Sequence, residues 1–276
     1  MAGRPTGLLL GLETTFHPFG AHPAYQEIAH LPLPERVTRM RDPAVRRRLL
    51  EEKPEHEMPV ALFIAQSFHK LFPLGDPPDY EPPAEASVAA RAAREGRTPQ
   101  EVVYDLLLER DGRAMLYFPL LNYANGDFEA IRAMLEHPLA VLGLSDGGAH
   151  CGIICDASMP TYMLQYWVRD RVRGPRLGLE EVVRHQTRRT AELYGLLDRG
   201  LLAPGFRADL NLIDLEELGL DAPQVVYDLP AGGRRLIQRP RGYRATIQSG
   251  RVTFENGEPT GERPGRLLRG PIPSPR

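Results

Sequence analysis

The rhythm of compact apolar runs and helical stretches limits this chain more than any other feature. GLLLGLE at 7–13, PVALFIA at 59–65, AMLYFPL at 114–120 and LAVLGLSD at 139–146 each read as a buried strand, bounded by Gly, Pro or acidic residues. Between them lie helical patterns. PERVTRMRDPAVRRRLLEE at 34–52 reads as two short helices, the second capped by Asp42 and started by Pro43. A proline-rich loop from Asp76 becomes a helix near Glu85 that Gly96 closes. TPQEVVYDLLLER at 98–110 opens on Thr98 and Pro99 with a Gln-Glu pair behind, a helix start. In DFEAIRAMLEH, Phe128, Ile131, Met134 and Leu135 recur at helical spacing. Strand and helix in alternation predict a parallel sheet with crossover helices, and two longer helices follow at 160–171 and 179–194.

The texture changes near Leu201. APGFRADLNLIDL, QVVYDLPAGG and RRLIQRPRGYRATIQSGRVTFENGE are short alternating runs separated by Gly, Pro and Asn. ATIQSGRVTFENGE reads as a hairpin turning at Ser249-Gly250. The Pro- and Gly-rich tail from Arg263 is expected to lie on the surface or fray. A boundary near residue 200 therefore divides an α/β part, 1–200, from a small β part, 201–276.

Composition narrows the partners. With 42% hydrophobic and 25% charged residues the chain is an ordinary globular protein rather than a disordered one. A net charge of −2 and a pI near 6.5 supply no electrostatic attraction for nucleic acid or an anionic membrane. No apolar run approaches the roughly 20 residues that span a bilayer. Cys151 and Cys155 make no disulfide framework, and the chain reads as cytoplasmic.

The chemistry-bearing strings are few. AVLGLSDGGAH at 140–150 ends an apolar run on Asp146, with glycines behind it and His150 beyond. This is either a solvated turn or a carboxylate at a strand end, able to touch a metal or accept a proton from an attacking water. HCGIICD at 150–156 has a Cys-x-x-x-Cys spacing unlike a zinc ribbon, so inert buried cysteines are expected. ETTFHPFGAHP places His17 and His22 beside prolines after a strand, either in a surface loop or in a shaped loop over a site.

Taken in order, LGLSDGGAH, DASMPTYML and HQTRRTAELYGLLDRGLLAPGFRADLNLIDL resemble the closing pattern of the amidohydrolase superfamily, with Pro204, Gly205, Ala208 and Asp209 matching its last element. RMRDPAVRRRLLEE, PDYEPPAEASVAARAAREGRTPQEVVYDLLLE and the strings at 225–252 and 257–270 resemble its N-acyl-D-amino-acid deacylase (D-aminoacylase) branch. The resemblance implies an α/β fold: the C-terminal portion of a metal-dependent (β/α)8 TIM-barrel hydrolase at 1–200, then part of a small β-sandwich domain at 201–276. It implies Asp146 as the last-strand proton carrier and a metal contact, with Arg4, His17, His22 and His150 as substrate-side groups. The substrate would be a small N-acyl amino acid or related amide, and the cofactor zinc.

The family's His-x-His does not occur here, and neither Lys53 nor Lys70 ends a strand. Strands one to six of the barrel are expected to be missing, which implies a fragment that is inactive alone and holds no zinc by itself. Two alternatives stand beside the deacylase reading. One is a non-catalytic half-barrel scaffold or partner subunit that complements a separately encoded N-terminal half. The other is a cyclic-amide hydrolase of a different amidohydrolase branch.

Overall fold

The computed structural model describes residues 1–55, 59–143 and 150–275. The first apolar run forms strand β1 (Gly7–Leu10), buried along its whole length. Helices α1 (Pro23–Gln26), α2 (Leu33–Met40) and α3 (Pro43–Glu51) follow. Asp42 caps α3, its Oδ1 accepting the Ala44 N–H at 2.8 Å, as the Asp-Pro pair predicts. Next come α4 (Pro59–Gln66), the short strand β2 (Phe72–Pro73), α5 (Val88–Glu95) and α6 (Pro99–Gly112). Gly96 ends α5 at a φ of 64°, a conformation that glycine adopts without strain. Thr98 and Glu101 close a reciprocal capping box at the start of α6. Strand β3 (Leu116–Pro119), α7 (Glu129–Glu136) and α8 (Met159–Tyr162) complete this half, with α8 running on as a π-helix over Met163–Asp170. The expected helix at 179–194 is two helices, α9 (Leu179–Gln186) and α10 (Arg188–Leu193), broken where Thr187 leaves helical torsions.

Two expectations are corrected. PVALFIA is the helix α4, begun by Pro59, and not a strand. A continuous apolar run has no period that separates a strand from a buried helix. Only Ile64 and Ala65 are buried, while Val60 and Phe63 face outward. The sheet is also antiparallel rather than parallel, in the order β1-β3-β2, with Leu8 opposite Phe118 and Phe72 opposite Tyr117. With 59–65 helical, and with 139–143 in no strand, the crossovers that a parallel sheet requires are not formed. Instead the amino group of Met1 donates to the Val141 carbonyl at 2.6 Å, and the Gly143 N–H donates to Met1 at 2.8 Å. The rest of that run, 144–149, lies outside the described residues.

The second half carries β4 (Leu210–Ile213), β5 (Gly219–Leu220), β6 (Gln224–Leu229), β7 (Gly233–Ile237), β8 (Pro240–Arg241), β9 (Tyr243–Gln248), β10 (Arg251–Glu255) and β11 (Glu258–Pro259). They pair as a four-stranded sheet β11-β10-β9-β4 and two ribbons, β5-β8 and β6-β7. Ser249 and Gly250, both at positive φ, turn the β9-β10 hairpin as the sequence predicts.

Alternation along β1 and β3 makes this small sheet the partition between two cores. Leu8, Leu10, Leu116 and Phe118 face Met40, Val88, Val103 and Leu107. Leu9 and Tyr117 face the other way, onto Phe128, Trp167 and Val182, where Leu220 and Leu236 from the second half also pack. Trp167 is fully buried and donates through Nε1 to the Gly3 carbonyl at 2.6 Å. No helix among the described residues is long and apolar enough to cross a membrane.

Candidate functional site

Asp146 lies outside the described residues, and the chain re-enters beside β1. The Leu9 N–H donates to the Ile153 carbonyl at 2.8 Å and the Thr15 N–H to Gly152 at 2.9 Å. A Cβ on Gly152 would stand 2.4 Å from Thr15 Oγ1, so a larger residue there would make the Thr15 side chain turn away. His150 is exposed, at a φ of 60°, and its carbonyl accepts the N–H groups of Ile153 and Ile154. Cys151 and Cys155 are free thiols. Burial pushes the Cys155 thiol up to about 11, so it stays protonated and unreactive at neutral pH.

The structure brings His17 and His22 together on the loop after β1, and both are buried. The His17 ring stands edge-on to Tyr25 at 4.3 Å between centroids, and His22 packs on Phe19 at 5.4 Å. Burial first, then the positive charge of Arg36, pushes the His17 imidazole down to about 3. Burial lowers His22 as well. Arg36 donates from Nη1 to the Leu12 carbonyl and to Tyr25 Oη, both at 2.7 Å. Glu13 accepts from Tyr227 Oη at 3.1 Å. The loop therefore holds two neutral imidazoles among guanidinium groups, a setting that accepts hydrogen bonds or anions and repels a free cation. Among the described residues no three His, Cys, Asp or Glu side chains gather as a metal-holding group. They do not fit a metal by themselves.

The His17 shift has a measurable consequence. A histidine held neutral in the folded state contributes stability that is fully present above its unfolded value of 6.5. That contribution is lost as the pH falls from there toward 3. Between about pH 7.5 and about pH 4.5, His17 is expected to account for roughly 3 kcal/mol of lost stability. Urea unfolding at the two pH values, compared with His17→Phe, isolates the term from the carboxylates that titrate over the same range. Parallel pH curves for the two proteins would remove His17 as the cause.

Arg4 lies before β1, at its opposite end from the histidines. Its guanidinium is fully buried, 3.7 Å from the Tyr80 ring centroid and 5.3 Å from that of Tyr162. Nη2 donates to the Cys155 carbonyl at 2.8 Å, to Asp156 Oδ1 at 3.2 Å and to Ser158 Oγ at 3.4 Å. Burial raises the Asp156 carboxyl and the charge of Arg4 opposes that rise. Arg4 thus fastens the segment after Asp146 to the start of β1. A third charged centre, unforeseen from sequence, pairs Glu81 with Arg171 where neither side chain has any exposure. Glu81 sits in the loop EPP, and nothing in that string marks it as buried.

The amidohydrolase family profile matches residues 5–254, and the chain belongs to the amidohydrolase family. Within it, the chain is 37% identical over 176 residues to the N-acyl-D-aspartate deacylase of Alcaligenes xylosoxydans xylosoxydans, covering 63% of this chain and 33% of that protein. Among solved structures, a D-aminoacylase mutant in complex with copper chloride is similar at 24% identity and a TM-score of 0.39, covering 66% of this chain and 34% of that one. A D-aminoacylase described as defining a novel subset of amidohydrolases is similar at 23% identity and a TM-score of 0.37, with coverages of 70% and 36%. The chain spans about a third of the length of these relatives.

Proposed function

We propose that this chain carries the closing part of a zinc-dependent deacylase acting on N-acyl-D-amino acids in the cytoplasm, with residues 1–200 contributing to the barrel and 201–276 to the β-sandwich. The observation that carries the reading is the family match across 5–254, which includes the string around Asp146. The likeness to an N-acyl-D-aspartate deacylase supports the substrate class. In this reading zinc supplies Lewis acidity toward the scissile carbonyl, held by ligands beyond the described residues. Those ligands belong to a longer chain or to a separately encoded half.

The protein's own part is proton traffic and substrate placement. Water attacks the amide carbon and the C–N bond breaks. Asp146 accepts the water's proton and delivers it to the departing nitrogen, giving a carboxylate and a free amine. His17, His22 and His150 are placed on the segments flanking β1 as substrate-side groups, the first two as neutral hydrogen-bonding partners. With zinc and the N-terminal portion of a D-aminoacylase supplied in trans, the protein is expected to release aspartate from N-acetyl-D-aspartate and to leave the L enantiomer intact. Absence of turnover on the D enantiomer, both alone and with the N-terminal portion of a D-aminoacylase supplied in trans, overturns the proposal.

A further inference from the structure

The tail that follows β11 is fastened at two points. The Thr260 N–H donates to the Thr253 carbonyl at 3.0 Å. Further on, the Ile272 N–H donates to the Gly195 carbonyl at 2.8 Å, and the Ile272 carbonyl accepts the Leu197 N–H at 2.9 Å. The segment between passes over the end of β9, where a Cβ on Gly265 would stand 3.6 Å from the Gln248 side chain. A cleft of about 740 Å³ opens between this segment, the β9-β10 turn and the loop before β4. Arg207, Ser249, Arg251, Glu262, Arg263 and Arg266 line it, so four guanidinium groups surround one carboxylate. Arg251 Nη1 pairs with Glu262 Oε2 at 2.9 Å, and Arg207 Nε pairs with Asp209 Oδ2 at 3.2 Å, outside the lining. Arg263 and Arg266, both exposed, form no ion pair with any described residue. No acidic residue occurs at 263–276. With both pairs counted, the cleft keeps two positive charges in a chain whose net charge is −2.

We propose that this cleft binds a linear triphosphate, with Arg263 and Arg266 as its principal anchors. Like charges gathered round one opening repel each other, and an anion drawn in by the field they focus relieves that repulsion. The planar guanidinium fork matches phosphate oxygens two at a time. Four forks around an opening of this size suit several linked oxyanions better than a single one. Ser249 Oγ accepts from Arg207 Nη2, which leaves the hydroxyl proton free to donate to the same ligand. No aromatic side chain among the described residues lines the cleft, so a nucleobase finds no ring to stack on. The triphosphate itself, free or carried on a nucleoside, is therefore the recognised group. The site stands independently of the deacylase reading, since none of its walls comes from the segment around Asp146.

The test is calorimetric titration of the full chain with sodium tripolyphosphate and, separately, with ATP and orthophosphate. Saturable one-to-one binding of tripolyphosphate is expected, with ATP no tighter and orthophosphate weaker by about tenfold or more. Arg263→Gln/Arg266→Gln removes the two unpaired charges from exposed positions and should weaken tripolyphosphate by about tenfold or more. Glu262→Gln should do the opposite, strengthening it about threefold, because it removes the lining carboxylate and frees Arg251. Arg113→Gln is the control: Arg113 is exposed, has no ion pair among the described residues and lies away from the cleft, so affinity should not change. The proposal is overturned by an absence of saturable binding, or by unchanged affinity in the Arg263→Gln/Arg266→Gln variant. Equal weakening by Arg113→Gln, or weakening by Glu262→Gln, overturns it too. So does orthophosphate binding as tightly as tripolyphosphate, or ATP binding more tightly, which would mean that the base is read.

Discussion

Asp146→Asn is expected to lower kcat on N-acyl-D-amino acids by about 10²- to 10⁴-fold, the usual contribution of a positioned acid–base group. Asparagine keeps the size of the side chain and one acceptor oxygen, so substrate and metal affinity should change little. What it lacks is a basic oxygen that can take a proton and give it back. The loss should therefore fall on kcat rather than KM, and the acid limb of the pH–rate profile assigned to a carboxylate should disappear. The readouts, on the chain complemented with the N-terminal portion of a D-aminoacylase, are steady-state kinetics across pH and zinc content by elemental analysis. Retained turnover with an unchanged acid limb would remove Asp146 from the proton path. A loss of zinc alongside turnover would make it a ligand first, and the proton role proposed for it would fail.

What the sequence revealed, and what it hid, follows from the range of the forces involved. Local chemistry was legible. Asp42 before Pro43, Thr98 with Glu101, Gly96 and Ser249-Gly250 act on atoms within four residues, and each forms the cap or turn expected of it. The compact runs GLLLGLE and AMLYFPL became β1 and β3, but a run shows only that a segment is buried. It does not show the direction of its partner. PVALFIA illustrates the limit, since burial of Ile64 and Ala65 satisfies a helix as readily as a strand. The antiparallel pairing of β1 with β3 depends on contacts more than a hundred residues apart, and no local string encodes it.

The candidate site divides along the same line. His17 and His22 were visible as histidines in a shaped loop, because Pro18 and Pro23 stand beside them. Their neutrality was not visible, because it comes first from burial by elements distant in the chain and, for His17, also from the charge of Arg36. Arg4 is the reverse case. The resemblance offers it as a substrate-side group, whereas folding buries it and encloses it between two tyrosine rings contributed by the 80 and 162 positions. By tying Cys155, Asp156 and Ser158 to the start of β1, it fixes one end of the segment that follows Asp146. The Leu9–Ile153 and Thr15–Gly152 hydrogen bonds hold that segment along the strand. The proposed catalytic carboxylate is thus flanked by backbone whose position is set by β1, and β1 is set by the two cores that it separates.

Glu81→Ala is expected to destabilise the fold by about 3–5 kcal/mol, the cost of stranding a buried charge. Arg171 gives Glu81 two hydrogen bonds, from Nε at 3.1 Å and Nη2 at 3.0 Å. The same carboxylate accepts the Tyr166 hydroxyl at 2.8 Å and the Phe128 N–H at 2.9 Å. Alanine removes all four interactions. The guanidinium, 4.6 Å from the Trp167 ring centroid, would keep only the Pro175 carbonyl and the partly exposed Glu129 as hydrogen-bond acceptors. Glu129→Ala is the control. It removes an acceptor on the solvent side and should cost about 1 kcal/mol or less. The double variant Glu81→Leu/Arg171→Met deletes both charges, so it should be less destabilised than the sum of the two single changes. Equilibrium urea unfolding of Glu81→Ala, Glu129→Ala, Glu81→Leu, Arg171→Met and the double variant gives these differences directly. Additive losses would mean that the two side chains contribute through packing alone, and that the ion pair does not hold the Glu81 loop against the π-helix end.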